Sequence, residues 1–327
     1  MIKNNKILVV GGAGYIGSHV VGELLKNGYQ PIVFDNLSTG RRENIIEGVV
    51  FIEGDIINYD QIKKALSGVG AVIYLAAYKA AGESMIEPEK YAINNIFGTI
   101  NLLNAVSALG IKNLIFSSSA AVYGDPVYLP IDEKHPTKPV NFYGQTKLTI
   151  EDLLKWYSQI RGFNYAALRY FNAVGYDVDG QVRGLEKNPA NLLPIVMETI
   201  IGVRDYIEIF GDDYQTDDGT CIRDYVHVSD LADAHVRALK YLNQENKNLI
   251  VNLGTAKGLS TLQIIDAAKK ISKVDFPIKI SARRLGDPPK LFSDSSKAME
   301  LLGWQAKHSD LETIIKTTLG AYGIMIK

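Results

Sequence analysis

Lys6-Ile7-Leu8-Val9-Val10-Gly11-Gly12-Ala13-Gly14-Tyr15-Ile16-Gly17 is a short apolar run that turns through glycines straight into the apolar pattern of His19–Leu25. Strand, tight turn and helix are predicted in that order, the context in which a glycine fingerprint carries meaning. Gly11 allows the turn, Gly14 lets backbone approach a pyrophosphate, and Gly17 lets the helix pack close to the strand. The helix N-terminus offers unpaired N–H groups and a favourable dipole. The spacing is G-x-x-G-x-x-G, one residue wider at the start than the common dehydrogenase fingerprint.

The next strand, Pro31-Ile32-Val33-Phe34, ends in Asp35. A carboxylate there accepts from both ribose hydroxyls and repels a 2′-phosphate, so NAD is expected over NADP, although Arg41 and Arg42 lie close by in sequence. Val49–Glu53 reads as a third strand, followed by Gly54-Asp55-Ile56, where an acid can meet an adenine amino group. Further strands are expected at Ala71–Leu75, Asn113–Phe116 and Tyr165–Leu168, with helices over Tyr91–Leu109 and Tyr143–Ile160. This alternation predicts an α/β fold, a doubly wound parallel Rossmann sheet with a smaller interleaved substrate-binding domain. The expected division gives residues 1–172 plus about 224–256 to the dinucleotide, and about 173–223 plus 257–327 to the substrate. Val226–Val228 with Asp230–Leu242 reads as a strand and helix returning to the main sheet, while Ile278–Ile280, Ser295–Leu302 and Leu311–Met325 belong to the smaller part.

Gly11–Gly17, Asp35, Asp55, Leu75–Lys79 and Ser117-Ser118-Ser119 all follow expected strands, so they converge on the carboxyl edge where such sheets bind ligands. At that edge Tyr143 and Lys147, four apart in Y-G-Q-T-K, share one helix face. A free tyrosine titrates near ~10, so a base usable near pH 7 needs roughly 4 kcal/mol of stabilisation of the phenolate. A lysine and an oxidised nicotinamide, both cationic, can supply that in a dry cleft. Arg223 and the pair Arg283-Arg284 can clamp a pyrophosphate.

Composition narrows the reading. Lys plus Arg total 35 against 36 Asp plus Glu, a formal net charge of −1, which gives no global field for nucleic acid or membrane. The single cysteine, Cys221, precludes an internal disulfide framework. No apolar run reaches the ~18 residues of a bilayer span, and Met1–Lys6 runs into the first strand without a signal-like stretch, so a cytoplasmic setting is expected. The five histidines lack metal-ligand spacing, and no metal is expected.

With these pieces in place, the chain resembles the extended short-chain dehydrogenase/reductases, and among them the UDP-glucose 4-epimerases. The resemblance runs from Gly11 to about Trp304. It rests on GGAGYIGSH, DNLSTG, LAAYKAAGES from Leu75, FSSSAAVYGD from Phe116, YGQTK, LRYFNAVG from Leu168, IFGDDYQTDDGTCIRDYVHVSDLADAH from Ile209, and RRLGD from Arg283. It implies reversible inversion at C4 of a UDP-hexose through a 4-keto sugar, with NAD regenerated each turnover. By the same matching Tyr143 takes the C4 hydroxyl proton, Ser119 bonds the C4 oxygen, and Lys147 binds the nicotinamide ribose and depresses the phenol pKa. Tyr15, Ile16, Asp35, Asn36, Asp55, Ile56, Leu75, Lys79, Asn94 and Phe171 are implied to contact NAD. Asn172, Asn191, Leu192, Phe210, Arg223, Arg284 and Asp287 are implied to hold the UDP-sugar, and the helices near Tyr91–Leu109 and Tyr143–Ile160 to form a homodimer interface.

Three positions depart from the family pattern. Ala121 stands where threonine is usual, and Ala173 replaces the proline after Phe171-Asn172. Leu291 occupies the place where a tyrosine restricts some members to plain hexoses and a small residue admits N-acetylhexosamines, so UDP-GlcNAc is a candidate substrate beside UDP-glucose. Alternatives are a 4-epimerase of a UDP-pentose or UDP-uronate, a nucleotide-sugar dehydratase or decarboxylase, and a non-catalytic NAD-sensing protein. The absence of an acid in Ser119-Ala120-Ala121-Val122-Tyr123 argues against elimination. The intact serine, tyrosine and lysine set argues against a sensor.

Overall fold

A strand buried along nearly its whole length must lie inside a sheet covered on both faces. In the computed structural model of the chain, which describes residues 4–187, 189, 191–283 and 288–324, β1 (Lys6–Val10) is such a strand. It leads into α1 (Tyr15–Lys26), β2 (Gln30–Asp35), β3 (Val50–Glu53), α2 (Tyr59–Ala65) and β4 (Ala71–Tyr74). Two helical turns, α3 (Ala81–Ser84) and α4 (Pro88–Tyr91), and a π-helical stretch over Ala92–Phe97 precede α5 (Gly98–Leu109), β5 (Asn113–Ser119), α6 (Phe142–Arg161) and β6 (Asn164–Tyr170). The second half contains β7 (Asn172–Val174), α7 (Leu192–Ile200), β8 (Ile207–Phe210), β9 (Ile222–His227), α8 (Val228–Glu245) and β10 (Leu249–Leu253). It closes with β11 (Gly258–Ser260), α9 (Thr261–Ser272), β12 (Ile278–Ser281), β13 (Lys290–Leu291), α10 (Ser296–Leu302) and α11 (Leu311–Ala321).

Seven strands pair in the order β10-β6-β5-β4-β1-β2-β3, all parallel. The direction of winding reverses at β1 and β4, which creates a crevice beyond their carboxyl ends. One face is packed by α1 and α8 through Val20, Leu24, Leu231 and Leu239. The other is packed by α2, α5 and α6 through Ile62, Leu102, Ile150 and Leu154. The expected doubly wound parallel sheet is thus present.

A four-stranded sheet has β9 at its centre, parallel to β7 and β13 and antiparallel to β11, and β8 pairs with β12 in a two-stranded sheet. These sheets and α7, α9 and α11 share their own core, which includes Met197, Ile209, Ile264 and Ile315.

One sequence expectation is corrected and another refined. The strand containing Val226 to His227 does not rejoin the main sheet; it is the centre of the second one, and β10 is the strand that returns beside β6. Asp224 explains the placement: its fully buried carboxylate accepts from Thr255 N and Oγ1 at 2.8 and 2.6 Å and from Ser293 N and Oγ at 3.1 and 2.8 Å, tying β9 to distant chain. The helix expected over Tyr91–Leu109 is present and continuous, with a π-helical stretch at Ala92–Phe97 that carries Asn94 and Asn95.

Candidate active site

The glycine turn is built as its sequence requires. Gly11 has φ +87°, and a Cβ there would lie 2.6 Å from Ala76 N; at Gly17 it would lie 2.1 Å from the Gly11 carbonyl oxygen. At Gly14 it would meet only Gly11 O, at 3.3 Å, so this side of the turn is open. No side chain caps α1, which leaves its first-turn N–H groups facing that opening. Asp35 closes the turn from β2: one carboxylate oxygen accepts from Ala13 N at 3.0 Å and the other from Leu37 N at 2.8 Å. Burial raises its pKa, and these two N–H groups work in the opposite direction. Arg42 is committed to Glu53 at 2.5 Å and to the face of Phe51, and Arg41 lines a separate cavity with Tyr176 and Tyr322. An uncapped helix end, an open glycine and an acid at the end of β2 are donors and space that fit NAD.

Around this cradle Asn36 Nδ2 donates to Asp55 at 2.9 Å, and Ile56 is buried behind it. Leu75 N donates to Val10 O at 2.8 Å, which brings the chain after β4 against the glycine turn. Lys79 is paired with Glu186. Tyr15 turns away, its hydroxyl donating to Gly175 O at 2.5 Å. The π-helical stretch carries Asn94, which donates to Asn95 at 2.9 Å. Asn95, which sequence reasoning passed over, accepts from Tyr78 N at 3.0 Å and donates to Tyr78 O at 3.1 Å and Thr146 Oγ1 at 3.2 Å. It therefore fixes the segment after β4 against α6.

The opposite wall is the junction of β5 and α6. Asn141 caps α6 by accepting from Gly144 N at 2.8 Å, and Ser84 Oγ accepts from Tyr143 N at 3.0 Å. Tyr143 and Ser119 approach each other here: burial pushes the phenol pKa up, and the neighbouring Ser119 hydroxyl pulls it down. Lys147 is buried one turn on, donating to Ser117 O at 2.7 Å, with its ammonium 5.8 Å from the Tyr143 ring centre and 4.8 Å from that of Phe116. The expected side-by-side pair is therefore realised as a ring-face approach, not a direct bond to the phenol oxygen. Burial brings Lys147 down to about 7, and Glu151 pulls the other way. Tyr170, also missed in the sequence, hydrogen-bonds Ser117 beneath the pair.

Asn172, Asn191, Leu192, Phe210 and Arg223 line one cavity of about 640 Å³, together with Cys221. Asn172 Nδ2 donates to Asp224 O at 3.1 Å, and Arg223 Nη1 donates to Ile222 O and Pro288 O, both at 2.8 Å. Asn191 is the N-cap residue of α7 but makes no side-chain cap bond. Phe171 and Leu291 pack with Ala120, Val122 and Tyr123 beyond the end of β5. Arg284 and Asp287 lie outside the described residues. Among the described residues there is no cluster of His, Cys, Asp or Glu able to hold a metal, and no helix long and apolar enough to cross a membrane.

The model of the NAD dependent epimerase/dehydratase family matches residues 7–254. The chain belongs to that family. It is 45% identical to the UDP-glucose 4-epimerase of Lactobacillus helveticus over 314 residues, 95% of each chain. Among solved structures it is similar to UDP-glucose 4-epimerase from Brucella ovis in complex with NAD, at TM-score 0.96 and 44% identity, covering 99% of this chain and 100% of that one. It is also similar to the Bifidobacterium longum UDP-glucose 4-epimerase in complex with NAD+ and UDP, at TM-score 0.92 and 36% identity over 97% and 98%. For this epimerase/dehydratase chain, the wall of Ser119, Tyr143 and Lys147 facing the glycine cradle can move a proton next to a dinucleotide.

Proposed function

We propose that the chain is an NAD-dependent isomerase that inverts C4 of a UDP-hexose, interconverting UDP-glucose and UDP-galactose. Three observations support this reading: Ser119, Tyr143 and Lys147 group where β5 meets α6, the glycine turn follows β1 at the same edge of the sheet, and Asn172, Asn191 and Arg223 line one cavity. The chemistry NAD supplies when bound is reversible acceptance of the C4 hydride. Tyr143 takes the proton of the C4 hydroxyl as the ketone forms and gives it back on return, and Ser119 bonds the C4 oxygen throughout. Lys147 binds the nicotinamide ribose and, as an ammonium, favours the phenolate. Asp35, Asn36, Asp55, Ile56, Leu75, Lys79, Asn94 and Phe171 complete the dinucleotide site with Gly11 to Gly17. Leu192, Phe210 and Arg223 hold uridine and diphosphate, with Arg284 and Asp287 assigned from sequence alone. The main-sheet part, residues 1–172 with about 228–256, is assigned to the dinucleotide, and the remainder, which includes β9, to the UDP-sugar. Anchoring through the nucleotide leaves the hexose free to present either face.

Purified protein should convert UDP-galactose to UDP-glucose in a coupled assay without added NAD. Turnover only with added NAD would keep the reaction but make the cofactor exchangeable, whereas silence in both conditions would contradict the substrate assignment. Leu291, between the sizes of tyrosine and a small residue, leaves UDP-GlcNAc within reach, since a methylene-scale difference is worth only ~1–3 kcal/mol.

A cytoplasmic setting and a homodimer belong to the same proposal. Ile93, Phe97 and Leu109 on the stretch ending in α5, and Trp156 and Ile160 on α6, are exposed apolar side chains, with Trp156 at 62% and Ile160 at 66%. Buried aromatic anchors of this kind are worth ~2 kcal/mol or more at an interface. Trp156→Glu should therefore weaken dimerisation by roughly 30-fold or more. Light scattering after gel filtration reads this, and an unchanged mass at low concentration would count against the surface.

A further inference from the structure

Glu151 lies one turn beyond Lys147 and two beyond Tyr143 on α6, and its carboxylate is buried. One oxygen accepts from Ser118 Oγ at 2.6 Å and from Arg169 Nε at 2.9 Å; the other accepts from Arg169 Nη2 at 2.5 Å. Arg169, also buried, donates from Nη1 to the Tyr123 hydroxyl at 3.0 Å, and Tyr123 donates to Asn252 at 2.7 Å. Each serine at the end of β5 thus meets one rung of α6: Ser119 meets Tyr143, Ser117 O meets Lys147, and Ser118 meets Glu151. The charges alternate along that face, from the Arg169 cation through the Glu151 anion and the Lys147 cation to the phenol that must become an anion. Lys147 itself has the neutral Ser117 carbonyl as its hydrogen-bond acceptor. A buried ammonium with a neutral acceptor sheds its proton easily unless an anion stands near.

We propose that Glu151 is a positioning residue for the Tyr143–Lys147 pair: its carboxylate, anchored by Arg169 and Ser118, keeps Lys147 an ammonium so that Tyr143 can act as a base at neutral pH. This rests on the roles of Tyr143 and Lys147 proposed above. The titratable groups around the pair are Glu151 on the same helix, Arg169 on β6, which binds Glu151, Tyr123 after β5, which binds Arg169, and Tyr170 on β6, which hydrogen-bonds Ser117. Burial brings Lys147 down to about 7, and Glu151 is the charge that pulls it back up.

The sign follows directly. Without the carboxylate, Lys147 loses its proton at lower pH, so the alkaline limb of the kcat/KM profile moves down. The acid limb lies where Lys147 still carries its proton, so it is not raised, and the bell narrows from its alkaline side. Glu151→Gln should bring the alkaline limb down by at least about one pH unit, as expected for a charge one helical turn away. Ultraviolet difference absorbance of the purified holoenzyme against Tyr143→Phe should show less Tyr143 phenolate at neutral pH than in the wild type. Glu151→Asp, which keeps the charge, should restore most of both effects. Ser118→Ala removes a hydrogen bond but no charge and should keep the wild-type limbs.

An unmoved alkaline limb in Glu151→Gln, or a Ser118→Ala limb shifted as far, would overturn the proposal in favour of a purely structural ion pair. If Glu151→Gln alone does not fold, Glu151→Gln with Arg169→Gln removes both buried charges together; a smaller narrowing in the same direction is expected there, because the opposing Arg169 cation is also gone, and an unchanged profile overturns the role. Full activity in Tyr143→Phe removes the underlying assignment instead, so the two failures are separable.

Discussion

Tyr143→Phe is expected to lower kcat by roughly two to four orders of magnitude, the usual worth of a positioned acid–base group. Phenylalanine keeps the ring that packs beside Lys147 and removes only the hydroxyl that approaches Ser119. The backbone of residue 143 is held independently by Ser84, so α6 should stay in place. NAD content and melting temperature should therefore match the wild type while turnover collapses. A variant that keeps its rate would overturn the role given to Tyr143. One that loses NAD would show the phenol to be a binding group.

Gly17→Ala should abolish retention of NAD and destabilise the fold by roughly 1–3 kcal/mol or more, the range for forcing atoms into a packed site. The added Cβ would sit 2.1 Å from Gly11 O and 2.8 Å from Gly12 Cα, both backbone atoms that no rotamer change can move aside. The start of α1 must shift, carrying with it the N–H groups that face the cradle. Gly14→Ala provides the contrast, because its Cβ meets only Gly11 O at 3.3 Å. It should melt close to the wild type and still bind the dinucleotide poorly, since the methyl group occupies ligand space. Nucleotide released on denaturation and calorimetric melting distinguish the two. Equal melting loss in both variants would contradict this separation of fold and ligand roles.

Much of the site is legible in sequence because it is local. A glycine turn, an acid ending the next strand and a Y-x-x-x-K helix each declare themselves within a few residues, and periodicity places them on strand ends. What was missed depends on long-range pairing or on local backbone irregularity. Asn95 acts through Tyr78 and Thr146, far from it in sequence, and it sits on a π-helical stretch that a 3.6-residue pattern does not reveal. Tyr170 reads as an ordinary strand aromatic until its hydroxyl is seen on Ser117. Arg169 left one signal, a lone charge inside the buried strand Asn164–Tyr170, which demands a buried partner, and that partner is Glu151. The strand near Val226 was recognisable as a strand, but alternation cannot say which sheet it joins. Its membership is decided by Asp224 binding Thr255 and Ser293.

The most direct test follows the hydrogen on the inverted carbon. UDP-galactose carrying deuterium at C4, incubated with the purified protein in ordinary water, should yield UDP-glucose that keeps the label at C4, because the hydrogen leaves and returns within one closed site. Loss of the label to solvent would contradict reversible hydride removal and, with it, the roles assigned to Tyr143, Ser119 and Lys147.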